Sequence, residues 1–90
     1  MSYGVVLAPD ALEDLAKLPP DIRARVEQDI RRLAESPTAL SRPFHFPYFP
    51  AQAYEVEYQG DAIEYFITIL FRYSIDEENL IILAVPCLID

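Results

Sequence analysis

The sequence predicts a two-layer α+β fold, a helical hairpin packed on a mainly antiparallel four-stranded sheet in the order β-α-α-β-β-β. Three observations carry this expectation. Apolar residues recur at helical spacing before residue 36, and they alternate with period two after residue 53. Pro-, Gly- and acid-rich turns punctuate the segments. With 90 residues the chain is expected to form one domain, residues 1–90.

Tyr3–Leu7 reads as a short strand, stopped by Ala8-Pro9-Asp10. Asp10 with Glu13 resembles a capping box and opens a first helix, with Leu12, Leu15 and Ala16 at helical spacing up to Leu18. Pro19-Pro20 ends it, because neither residue can donate to an i−4 carbonyl. A second helix follows over Asp21–Glu35, with Ile22, Val26, Ile30, Leu33 and Ala34 on one stripe. Its other face carries two i,i+4 charge rows, Asp21-Arg25-Asp29 and Arg23-Glu27-Arg31-Glu35. Residues 20–35 hold four bases and four acids, so these arginines read as self-neutralised.

Ser36–Pro50 is a proline-rich connector in which Phe44, Phe46 and Tyr48 alternate as in an extended segment, with Phe49 beside them. Next, Tyr54, Val56 and Tyr58 share one strand face and Glu55 and Glu57 the other. Gln59-Gly60-Asp61 is a turn; if Gly60-Asp61 is a two-residue loop, Glu57 and Glu64 come out opposite each other. Ile63–Tyr73 reads as a long strand with Tyr65, Ile67, Ile69 and Phe71 on one face. After the polar turn Asp76–Asn79, the apolar run Leu80–Val85 suits a central strand buried on both faces, ended by Pro86.

Composition restricts function. The hydrophobic fraction of 52% excludes intrinsic disorder. A net charge of −8 disfavours direct nucleic-acid binding, which needs cations to neutralise phosphates. The single cysteine, Cys87, excludes an internal disulfide framework. No apolar run is long enough to span a membrane and no signal peptide is evident, so a cytoplasmic location is expected. Nothing in the residues calls for a cofactor or a metal: the carboxylates of Glu55, Glu57 and Glu64 lie on a flat sheet face, where ligands seldom converge. His45, the one imidazole, reads as a loop residue.

The element order and several words in it resemble the RelE/ParE superfamily of bacterial toxins. The first strand and helix carry Ala-x-x-Asp-Leu-x-x-Leu at Ala11, Asp14, Leu15 and Leu18; the second helix "DIRARVEQDIRRLAESP", the strand "AYEVEYQGD" and the closing "ILFRYSIDEENLIILAV" follow in family order. The resemblance covers nearly the whole chain. It implies a toxin of a toxin–antitoxin pair, a family linked to plasmid stabilisation, whose RelE branch cuts mRNA on the ribosome and whose ParE branch poisons gyrase. Such cleavage needs a base for the ribose hydroxyl, cations for the developing charge and an acid for the leaving oxygen.

This chain departs from that pattern. The family's two basic positions on the second strand fall on Glu55 and Glu57, the arginine of the next strand falls near Thr68, and the last basic pair falls on Cys87 and Leu88. Only four residues follow Pro86, where many members carry a further catalytic residue. Residues 51–90 hold eight acids and one base, Arg72. If catalysis survives, Arg72 and Tyr73 are its candidates, in a metal-independent endoribonuclease. The reading preferred here is a toxin-like protein that acts by binding protein. Phe44, Phe46, Tyr48, Phe49, Glu55, Glu57 and Glu64 are its expected contacts, and its partner is an antitoxin whose binding segment is basic. The remaining alternative is a non-toxic homodimeric interaction module.

Overall fold

The computed structural model describes residues 3–45 and 50–89, and only the backbone of Phe44, His45 and Pro50. Its elements are β1 (Gly4–Leu7), α1 (Pro9–Ala16), α2 (Pro20–Glu35), β2 (Arg42–His45), β3 (Pro50–Gln59), β4 (Glu64–Ser74), β5 (Asn79–Ala84) and β6 (Cys87–Ile89). The predicted α+β layering is present, with the helical hairpin on one face of a mostly antiparallel sheet. Among the described residues the sheet has six strands where the sequence suggested four. Its order is β1-β5-β4-β3-β2, and β6 pairs with β4. The first strand is the parallel member, with Val5 beside Leu80 and Leu7 beside Ile82.

Both extra strands arise where proline obscured the pattern. Arg42–His45 of the connector pairs with β3, which places Pro43 on a sheet edge, where a missing N–H costs least. Pro86 interrupts the last strand without ending the pairing, so β6 continues along β4 with Cys87 opposite Ile67 and Ile89 opposite Tyr65.

Both helices begin with proline at the first position, where no intrahelical donor is needed. Asp10 lies inside the first turn of α1 and Ala8 occupies the cap position without a side-chain bond, so the expected capping box does not form. The buried stripe of α1 is Ala11 and Leu15, while Leu12 is 53% exposed. On α2 the expected stripe Ile22, Val26, Ile30, Leu33 and Ala34 is buried throughout. Against it stand Tyr58, Tyr65, Ile67, Ile69, Phe71, Leu80, Ile82 and Val85.

Most of the expected charge rows on α2 lies on its exposed face, and Asp29 departs from it. Asp29 is buried and pairs with Arg32 at 3.1 Å, and it accepts the hydroxyl proton of Tyr58 from β3. Arg25 donates to the Gln59 carbonyl at 3.4 Å. An interior carboxylate is thereby shared between helix and sheet. Burial, with the negative Asp29 alongside, pushes the Tyr58 phenol well above its ordinary range.

Strand β5 is buried on one face, not two: Leu80 and Ile82 are in the core, whereas Ile81 and Leu83 are half-buried. Phe71 pairs with Ile82 but Leu70 pairs with Ala84, so Leu83 is an extra residue in a β-bulge. The bulge resets the alternation and returns Val85 to the core. There the Val85 N–H donates to the Asp14 carboxylate at 2.9 Å, and Thr68 N–H donates to the Pro86 carbonyl at 3.0 Å. Asp14 of α1 therefore holds the junction between β5 and β6.

Candidate functional site

Alternation fixes what the sheet face opposite the helices displays. Glu55 pairs with Thr68, Glu57 with Phe66, and Gln59 with Glu64, so all six share that face. The two-residue turn is not formed. The loop runs over residues 60–63, closed by Gly60 N–H to the Ile63 carbonyl at 2.9 Å, with Ala62 at φ 66°. This longer loop moves Glu64 opposite Gln59, whose amide donates to it at 3.1 Å, and separates it from Glu57.

Along this face lies an open groove of about 750 Å³ lined by Glu55, Glu57, Phe66, Thr68, Pro86, Cys87 and Leu88, among others. One wall is acidic. The other is apolar, with Leu88 74% exposed. The groove thus gathers the five positions singled out by the family resemblance (Glu55, Glu57, Thr68, Cys87 and Leu88), and none of them carries a cation. Burial raises the Cys87 thiol above its ordinary value, which leaves it a poor nucleophile. Arg42 from β2 reaches this face and forms an ion pair with Glu55. With both side chains more than half exposed, the pair contributes about 0–1 kcal/mol.

Arg72 and Tyr73 are neighbours on β4 and leave the sheet on opposite faces. Arg72 is exposed, and it lines a second pocket of about 510 Å³ with Ala51, Gln52, Tyr73, Ile75 and Asp76. It lies four positions along the strand from Thr68, about 13 Å when extended. Tyr73 is half-buried on the helix side, edge-on to Tyr3 with centroids 6.0 Å apart at 89°. Phe44 lies in β2 opposite Ala51 and His45 lies opposite Pro50, which puts the histidine in a strand, not a loop. Phe46, Tyr48 and Phe49 lie outside the described residues.

Among the described residues no three His, Cys, Asp or Glu side chains cluster to hold a metal ion. No described helix is long and apolar enough to cross a membrane.

The backbone has close structural counterparts. Over 94% of this chain it superposes on 96% of a chain in the toxin–antitoxin complex RelBE2 from Mycobacterium tuberculosis, with a TM-score of 0.72 and 26% identity. The chain has a RelE/ParE-like toxin fold. The same 94% matches 82% of a free E. coli RelE toxin carrying two arginine-to-alanine changes, with a TM-score of 0.64 and 17% identity. No protein-family model matches the sequence, and no curated protein does.

The RelE/ParE-like fold therefore survives in a chain whose open sheet face is acidic. Sequence reasoning read Asp14 only as part of the family word and Asp29 as a member of a solvent-facing charge row, and missed the hydrogen bonds both make to the sheet. Both lie on the sheet-facing side of their helices, Asp14 one residue before Leu15 and Asp29 one before Ile30, and that adjacency was the available signal.

Proposed function

We propose that this chain is the toxin-like member of a toxin–antitoxin pair and acts in the cytoplasm by binding protein, without cutting mRNA itself. The groove composition carries this reading. Where an RNA-cleaving sheet would need cations, the groove presents Glu55 and Glu57 with Glu64 beyond them, and carboxylates repel phosphate. The same wall suits an extended basic segment. Its Lys or Arg side chains would meet Glu57 and Glu64, and its alternate apolar residues would lie on Phe66, Pro86 and Leu88. The likeness to a chain from a toxin–antitoxin complex supports an antitoxin as the source of that segment.

The test is tightly induced expression of this chain alone in a bacterial host, with RNA sampled along the time course. The expected result is growth arrest with intact mRNA. Codon-positioned cuts would overturn the reading in favour of an endoribonuclease acting through Arg72 and Tyr73. Unimpaired growth with folded protein confirmed would overturn it in favour of a non-toxic interaction module.

A further inference from the structure

The strands flanking the sheet differ in how they are closed off. Strand β2 carries Arg42 and Pro43, and β6 is three residues long behind Pro86. Both are devices that discourage further pairing. Strand β1 has neither a charge nor a proline, and it leaves Val5 42% and Val6 48% exposed. Gly4 N–H and Ala8 N–H bond to the carbonyls of Glu78 and Ile82. Alternation therefore turns the N–H and C=O of Val5 and Leu7 to the outer edge, where no described strand pairs. Tyr3 is already taken, its N–H donating to the Ala34 carbonyl at 2.7 Å.

We propose that β1 is a self-association edge, at which two copies of this chain pair antiparallel about a two-fold axis at Val6. In that register Val5 of each copy exchanges two backbone hydrogen bonds with Leu7 of the other, and Val6 faces Val6. The Val6 contact is the non-hydrogen-bonded kind, with Cα atoms about 4.5 Å apart. It extends the apolar pair of Val6 and Ile81 on the open face.

Charge selects a second copy as the occupant. The chain carries −8, yet Tyr3–Pro9 contains no charged residue, so the strand itself adds no like-charge repulsion between two copies. An isologous contact also lets one apolar patch satisfy itself. A four-residue strand buries well under the roughly 1,200–2,000 Å² of a stable interface, so the dimer dissociates on dilution. The edge is separated from the acidic groove by β5, so both surfaces can be used at once.

Sedimentation of the wild-type chain across a concentration series reads the association directly. The mass is expected to rise from 10.3 kDa towards twice that value, and a constant monomer mass would overturn the proposal. Register is read by mild oxidation of Val6→Cys in a Cys87→Ser background. A covalent dimer is expected for Val6→Cys and not for Val5→Cys, whose cross-strand neighbour is Leu7. Equal cross-linking at both positions, or none at Val6, would overturn the two-fold register.

Discussion

Replacing Tyr58 by Phe tests the buried link between α2 and β3. The change keeps the ring in the core and removes the hydroxyl that donates to Asp29. A hydrogen bond to a charged group contributes about 1.5–3 kcal/mol. Arg32 still pairs with the other carboxylate oxygen, so a loss of about 2 kcal/mol at pH 7 is expected. The size of the loss should depend on pH. In the folded chain the phenol is held well above its ordinary value of 10.0, so the unfolded chain releases that proton first. The stability that Tyr58 supplies is therefore complete below about pH 10 and falls as pH rises towards the folded value, by about 1.4 kcal/mol per pH unit. A difference of about 2 kcal/mol is thus consumed near pH 11.5. Other groups titrate alike in both proteins, so the difference between them isolates this one. Urea unfolding followed by circular dichroism at pH 7, 10, 11 and 11.5 gives the two curves. A gap at pH 7 below about 0.5 kcal/mol, or one that stays constant up to pH 11.5, would refute the assignment.

Asp14→Ala removes the acceptor of the Val85 N–H and is expected to cost about 1–3 kcal/mol. Amide exchange should accelerate at Val85 far more than at Val26, and uniform acceleration would argue against a local junction. Phe71→Ala, at a fully buried position, should cost about 3–5 kcal/mol, whereas Leu12→Ala on the exposed side of α1 should change stability by under about 0.5 kcal/mol. Thermal unfolding checks both, and comparable losses would contradict the observed orientation of α1.

The elements legible in the sequence were those with strong, unbroken periodicity. The α2 stripe is five apolar residues in helical register, and β4 alternates cleanly from Tyr65 to Phe71. The layering and the family resemblance followed from these. Interruptions hid the rest. Pro86 read as a stop because a missing donor looks terminal in one dimension, yet β4 supplies a partner on its far side. The Leu83 bulge is invisible in an all-apolar run, where a change of phase alters no letter. At the candidate site the acidic residues and their shared face were legible. The four-residue spacing that sets Glu64 against Gln59 was not, because the left-handed residue of the loop is Ala62, a type that seldom marks such a turn.

The topology ties the beginning of the chain to its end. Strand β1 pairs with residues 79–82, and Asp14 of α1 holds Val85. During synthesis the helical hairpin therefore emerges long before the strands it must cover, and its apolar stripe waits for them. The β3–β4 hairpin can form locally, but the first strand has no described neighbour in the sheet until β5 leaves the ribosome. A chain cut short before β5 leaves β1 without its strand neighbour and part of the helical stripe uncovered, a substrate for proteases.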